Sequence, residues 1–580
     1  MRACSAETTS MMTPPWSMRA RPVLTVALEE RRGVLPGTVS MSASVTERGF
    51  VACVSTVSTR CAKKKTDTVF QKNERYSLPG LIAVRRGGDF VGDGRSRAAG
   101  PPMFRYRRLA AELERRIRAG DFRPGERLPS IRRLHRGTGL SISTVHRALL
   151  ELEACGLIES HPRSGYRVQP AVWPPLEPPA IRRSDPAPQP IQLAPAVHSV
   201  IAAISDPAFV PLGNTGMDPA HVPAKAFGRL LRGMNRAEWR ALLGYVAPEG
   251  LGELRRQIAL LDVGVPGRFA AEEIVVTSGC TEAIALALQA VARPGDTIAV
   301  ESPTNFAVLQ LLEELGLLAA EVAVDPREGV DLEDLARCLE AHPVRACFLM
   351  PHFQNPTGAL VPEEKKRRLM DLLARRGVPV IVDDISAPLY VTGKRPLPLS
   401  AFDREGLGMY CASFSKTIAP GLRIGWVAAR GEFRERIRRL KAATSICTSS
   451  LDQALVARFL GSGAYDRHLV RLRATLSRQL LQTADLIRRH FPEGTRLALP
   501  QGGTLLWIEL PGEIDGLELY RRAHARRIAV IPGVVCANAP RFRNFLLLSC
   551  AGPVDARAAR AIAALGEIAR GLGRRRRRPR

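Results

Sequence analysis

A chain of 580 residues, 45% of them hydrophobic, is long enough for roughly three or four domain-sized units with at least one large core. Its net charge of +28 is compatible with a nucleic-acid partner, because charge governs association rather than fold. Eleven scattered cysteines, with no CxxC pair and no histidine at ligand spacing, indicate neither a zinc site nor a disulfide framework and fit a reducing cytoplasm. No run of 18 apolar residues is present to cross a membrane, and the N-terminus lacks a signal-peptide layout. The composition predicts a soluble, cytoplasmic protein with no membrane partner.

Residues 1–102 have little sustained periodicity and read as a disordered extension or a start assigned too far upstream. A patterned unit follows over 103–168. Within it, "SIRRLHR" predicts a short helix, "GTG" a turn, and "LSISTVHRALLELEACG" a second helix capped by the Ser141 hydroxyl and ended by Gly156. Val145, Ala148, Leu149 and Leu152 fall on one face of that helix at a 3.6-residue period. Ser143, Thr144, His146 and Arg147 stay free near its beginning, where recognition helices meet DNA. "LIES" and "YRV", joined by "HPRSG", predict a hairpin wing with Arg163 near its tip. This unit carries fourteen arginines against seven acidic residues, which suits phosphate contacts and salt-sensitive binding to a double-stranded DNA operator.

The pattern "FRPGERLPSIRRL" followed by "LSISTVHRALLELEACGLI" resembles the winged helix-turn-helix of the GntR family. The resemblance implies DNA contacts at Arg132, Ser141, Ser143 and His146, and places Gly165 at the wing turn. Ile142 stands where many relatives carry arginine, so base preference does not carry over.

The proline-rich stretch 169–204 predicts an extended linker without a core. Over 205–570, apolar runs such as "EIVVTS", "DTIAVES", "ACFLMP", "VPVIVDD" and "GMYCASFS" alternate with helical stretches. That alternation predicts an α/β domain with a mainly parallel sheet, and beyond about residue 430 a smaller α+β lobe. The arginine-rich tail 571–580 reads as a solvated end.

Motifs in the large unit fall in order at predicted strand ends or tight turns, where α/β sheets bind ligands. "TSGCTEAIALAL" ends a strand on a Ser-Gly turn and opens a helix, offering the N–H groups of Gly279, Cys280 and Thr281 to a phosphate. "QNPTG" presents Asn355, and "VIVDDISAPLY" presents Asp383 and Asp384. "ASFSKTIAPGLRIGW" sets Lys416 among Ser413, Ser415 and Arg423. Together they suit pyridoxal 5'-phosphate: Lys416 for a Schiff base, Asp383 at the pyridine nitrogen, Asn355 at the phenolate oxygen, and Ser413, Ser415, Arg423 and the Gly279 turn at the phosphate. Metal ligands are absent from the pattern.

This arrangement resembles the fold-type I aminotransferases, and with the N-terminal unit it resembles the MocR subfamily of GntR regulators. That resemblance implies a homodimer in which Tyr245 reaches the partner subunit's cofactor phosphate. Three positions depart from the pattern. Asn305 replaces a tyrosine that stacks on the ring, Ser386 a tyrosine near the phenolate, and Leu547 the arginine that clamps a substrate carboxylate. The departures favour a DNA-binding regulator whose aminotransferase-like domain senses an amino-acid or amine effector. The alternative is a working aminotransferase with a DNA-binding appendage. A repressor that has lost the cofactor altogether is the minor third reading.

Overall fold

A computed structural model describes residues 105–576, apart from 119–120, 123–125, 162–163, 170–175, 184–186, 193–194, 262, 392–394 and 539–540. The extension 1–102 and Arg163 therefore lie outside the described residues. Helices α1 (Arg105–Arg118), α2 (Ile131–Thr138) and α3 (Ile142–Ala154) precede a hairpin of β1 (Ile158–His161) and β2 (Gly165–Val168). Ser130 caps α2 by accepting from the Arg133 amide, and Gly139 ends it in the left-handed region. Leu113, Val145, Leu149, Leu152 and Ile158 close one small core beneath the three helices.

The proline-rich stretch is extended, as proline's missing donor dictates, yet its described parts are docked along the large domain. Arg182 pairs with Glu509 at 2.6 Å. Strand β3 (Gln189–Pro190) pairs antiparallel with the edge of the main sheet, and Ile191 is buried beside it. Helix α4 (Ala196–Ser205) buries Val197 and Val200 in the core of the smaller lobe. The folded domain thus starts before residue 205, because apolar side chains between the prolines find a surface to cover.

Helices α5 (Ala224–Arg232), α6 (Arg236–Leu242) and α7 (Gly252–Leu260) lead into the large domain. Its strands are β4 (Ile274–Thr277), β5 (Thr297–Ser302), β6 (Leu318–Asp325), β7 (Gly329–Val330), β8 (Val344–Leu349), β9 (Val380–Asp383), β10 (Gly408–Ser413) and β11 (Gly425–Ala428). Among the described residues they form, with β3, a nine-stranded sheet in the order β3-β6-β5-β8-β9-β10-β11-β4, with β7 on β6. The run from β6 to β10 is parallel, while β11 opposes both of its neighbours.

Both faces of this sheet are buried, which explains why its strands read as continuous apolar runs. On one face Phe348, Ile381 and Met409 pack under α8 (Cys280–Val291), α9 (Phe306–Glu314) and α12 (Gly431–Thr444). On the other, Leu349, Val382 and Tyr410 meet α10 (Leu332–Ala341), α11 (Glu363–Arg376), α13 (Ser450–Gly461) and the start of α14 (Ala464–His490).

The smaller lobe is an antiparallel sheet of β12 (Arg496–Leu497), β13 (Leu505–Glu509), β15 (Phe545–Ser549) and β14 (Ile531–Pro532). It packs with α14, α15 (Gly516–Ala525) and α16 (Ala556–Arg576). Helix α16 runs to Arg576, past the expected start of the tail at 571. Leu565, Ile568, Ala569 and Leu572 carry its apolar stripe onto the lobe core that far.

Candidate cofactor pocket and DNA-reading face

The carboxyl ends of β4, β9 and β10 open on a cavity of about 230 Å³ whose walls include Cys280, Thr281, Asn355, Asp383, Ser413, Ser415, Lys416 and Arg423. These residues come from segments 280–281, 355, 383 and 413–423, and the sheet order brings them to one place. Gly279 sits just behind them as the N-cap of α8, at φ +92 and ψ 173. That backbone geometry is open essentially to glycine alone. A β-carbon there would lie 2.3 Å from Nη2 of Arg423, so glycine is what lets the guanidinium lie against the turn. Arg423 itself is left-handed at φ 50 and donates from Nη2 to the Ser278 carbonyl at 2.8 Å. No side chain caps α8, so its first N–H groups and the positive end of its dipole face the cavity beside a guanidinium. Such a cradle fits a phosphate dianion.

Asp383 is buried, and its Oδ1 accepts from the Ile385 amide at 3.1 Å and the Cys280 thiol at 3.6 Å. Burial raises its pKa to about 6, so it is mostly ionised at neutral pH. Lys416 follows the short turn that Ser413 caps by accepting from the Ser415 amide at 3.3 Å. Its side chain is partly exposed, but the amine is enclosed and donates to the Thr215 carbonyl. Burial lowers its pKa to about 8 against the opposing pull of the Asp383 carboxylate. The donor set therefore fits pyridoxal phosphate: an amine poised to lose its proton, a buried carboxylate, an amide and an anion cradle.

Sequence reasoning missed Thr215, Thr504 and His352, which also line this cavity. Thr215 lies 201 residues before Lys416, and a carbonyl acceptor leaves no side-chain signature. His352 is locked in a buried cluster, with Nδ1 at 2.5 Å from Asp384 and Nε2 at 2.8 Å from the Lys366 amine. Lys366 is fully buried, and burial lowers its pKa to about 8.

The three departures are visible in place. Asn305 lines the cavity, and its Oδ1 accepts from the Ala307 amide to cap α9. Ser386 lines it too. Leu547 is buried in β15 opposite Trp507, within the apolar core of the smaller lobe. Tyr245 lies outside the cavity and is 86% exposed.

On the N-terminal domain, Ser141 caps α3 by accepting from the Thr144 amide at 3.1 Å. Its hydroxyl also meets those of Ser143, at 2.9 Å, and Thr144, at 2.8 Å. His146 and Arg132 are exposed, while the Arg147 guanidinium lies 4.4 Å from the centre of the Tyr106 ring. Gly165 turns the wing at φ +82, where an added β-carbon would lie 3.5 Å from the Arg127 side chain. The reading face thus joins hydroxyls at a helix N-terminus to an arginine-rich surface. At its far end Gly156, at φ +68, packs against Ser477 and Leu481 of α14, and the Cys155 thiol donates to the Val391 carbonyl at 3.9 Å.

Comparison with known proteins agrees with both halves. Residues 105–168 match the bacterial regulatory proteins of the gntR family, and residues 214–565 match aminotransferase class I and II. The chain is 36% identical over 467 residues to the HTH-type transcriptional regulator YjiR of Escherichia coli K12, covering 80% of this chain and 98% of that one. YdcR of the same organism is 35% identical over 467 residues, 80% of this chain and 99% of that one. The chain belongs to the MocR type of GntR-family regulators. Among solved structures, the α-aminoadipate aminotransferase LysN of Thermus thermophilus, complexed with N-(5'-phosphopyridoxyl)-L-leucine, superposes with a TM-score of 0.60 at 28% identity. That match covers 66% of this MocR-type chain and 96% of LysN. A DNA-binding transcriptional regulator with a pyridoxal-phosphate-family aminotransferase domain follows directly. No described helix is long and apolar enough to cross a membrane.

Proposed function

We propose that this regulator holds pyridoxal phosphate on Lys416 and uses the loaded pocket to sense an effector, rather than to turn over amino acids. The observation that carries this reading is the meeting of Lys416, Asp383, Asn355, Arg423 and the α8 N-terminus in one cavity, with leucine at the carboxylate-clamp position. The bound cofactor supplies an aldehyde carbon for an amine and a ring that withdraws electrons. Lys416 presents a neutral Nζ more often than an ordinary lysine, because burial disfavours its ammonium. Asp383 keeps a negative oxygen on the cavity wall, where it would hold a proton on a ring nitrogen. Asn355 offers an amide donor, while Ser413, Ser415, Arg423 and the Gly279 turn hold the phosphate.

The same reading makes the regulator a homodimer, with Tyr245 reaching the partner's phosphate. Its exposure, and that of Leu243 at 77%, suits a segment that a second copy covers. An effector then acts by favouring one arrangement of the paired reading heads over another. On the DNA side, Arg132, Ser141, Ser143, Thr144, His146 and Arg147 carry the contacts, with the wing turn at Gly165 supporting them.

Lys416→Ala is the direct test. Purified protein mixed with pyridoxal phosphate and dialysed should be coloured, and the variant colourless. A variant that keeps the full visible band refutes the anchor. Steady-state transamination with a panel of amino acids separates the two main readings, since robust turnover would make the chain a working aminotransferase.

A further inference from the structure

Resting on the reading that the cavity holds pyridoxal phosphate, we infer that the effector is a primary amine without an α-carboxylate. Any primary amine can exchange with Lys416, so selectivity falls to whatever the cavity offers the rest of the molecule. For an amino acid, that must be a cation paired with its carboxylate, usually the fork of an arginine.

Among the described residues, the arginines on the cavity wall or beside the clamp position are already engaged. Leu547 shares a face of the lobe sheet with Leu505, which lines the cavity. The pairings Leu505 with Ser549 and Trp507 with Leu547 put all four on one side. The clamp position therefore faces the right way and carries a buried hydrocarbon. Arg541 is held by Glu321 at 2.9 Å, and Arg543 by Asp515 at 3.3 Å. Neither forms the cavity wall. Arg423 belongs to the phosphate cradle. The remaining basic wall residue, His352, has both ring nitrogens engaged, by Asp384 and by Lys366.

What faces the ligand instead is neutral: the Asn305 amide, the Ser386 and Thr504 hydroxyls, and the apolar Ile385 and Leu505. These can hold a hydroxyl or a hydrocarbon body. A carboxylate among them would lose its water and gain no cation, at a cost that a neutral substituent escapes.

The test uses the full-length protein loaded with pyridoxal phosphate and dialysed free of excess. Its visible spectrum is titrated with matched pairs: ethanolamine against serine, isoamylamine against leucine, and putrescine against ornithine. Each amine is expected to act at a concentration at least about tenfold below its amino acid, the worth of one missing charge-assisted hydrogen bond. Anisotropy of a labelled fragment from upstream of the gene is followed in parallel, and the amines alone should shift its affinity at low concentration. Leu547→Arg, if it folds with a wild-type melting curve, should improve serine and leucine about tenfold or more and leave the amines unchanged. Coloured wild-type protein that responds equally to both members of each pair overturns the inference while sparing the cofactor reading. Protein that stays colourless overturns both.

Discussion

Gly279→Ala tests the phosphate cradle at its tightest point. The added β-carbon would stand 2.3 Å from Nη2, 2.8 Å from Cζ and 3.0 Å from Nη1 of Arg423. The guanidinium is the movable partner, so it is expected to swing away, giving up its bond to the Ser278 carbonyl and its place beside the α8 N-terminus. The backbone at φ +92 and ψ 173 adds strain of about 1–3 kcal/mol for any residue with a β-carbon. Hydrogen bonds to a charged group are worth about 1.5–3 kcal/mol, so losing that of Arg423 predicts roughly a 10- to 150-fold loss of cofactor affinity. Equilibrium titration followed by visible absorbance measures it, with pyridoxal, which lacks the phosphate, as the control. Affinity for the phosphorylated form should fall while that for pyridoxal holds. Equal losses for both would place the damage elsewhere, and no loss for either would remove Arg423 from the phosphate site.

Burial that lowers Lys416 to about 8 leaves about a tenth of it neutral at pH 7, against less than about one in a thousand for an ordinary lysine. The neutral amine is the reactive form, so the rate of cofactor capture should rise with pH through about 8 and then level. A stopped-flow profile still climbing at pH 10 contradicts the lowered value. Because Asp383 is raised to about 6, retention of the cofactor should weaken as pH falls through that value and its carboxylate gains a proton, and equilibrium dialysis below pH 6 checks this. Arg132→Ala, on an exposed face, should weaken DNA binding roughly tenfold and reduce the salt slope by about one, with cofactor loading intact. Unchanged anisotropy curves would take Arg132 off the DNA. Gly156→Ala puts a β-carbon 2.5 Å from Leu481 Cδ1 at φ +68, and should strain the end of the recognition helix by about 1–2 kcal/mol and crowd its contact with α14. Faster proteolysis between the domains is the expected sign, and wild-type resistance would show that the contact is dispensable.

Much of this molecule is written in local pattern. Strands buried on both faces give continuous apolar runs, and "GMYCASFS" is one such strand followed by its capped turn. The Ser141 cap and the 3.6-residue stripe of Val145, Leu149 and Leu152 are equally local. What escaped the sequence depends on distant partners. The Thr215 carbonyl beside Lys416, the Lys366–His352–Asp384 cluster and the pairing of Arg541 with Glu321 each join segments that only the closed sheet brings together. The proline-rich stretch misled for a related reason. Proline disfavours long regular elements, yet it leaves short edge pairings and neighbouring side chains free to dock, as β3 and Ile191 do.

One helix ties the two halves together. His468, early in α14, sits at 2.8 Å from the carbonyl of Thr417, the residue after Lys416. Leu472 and Leu476 then line a small recess against Lys416 itself. Ser477 and Leu481, on the following turn, receive Gly156 at the end of the recognition helix. From His468 to Leu481 the helix rises about 20 Å, short enough to act as one rigid body. A second path runs beside it: Arg473 stacks 3.7 Å over Tyr390 and donates to the Pro388 carbonyl at 2.7 Å, while the carbonyl of Val391, the residue after Tyr390, accepts from Cys155. Packed interiors respond to a displaced wall by shifting whole elements rather than by local compression. A change at Lys416 that moves α14 therefore also moves the surface on which the DNA-binding domain rests.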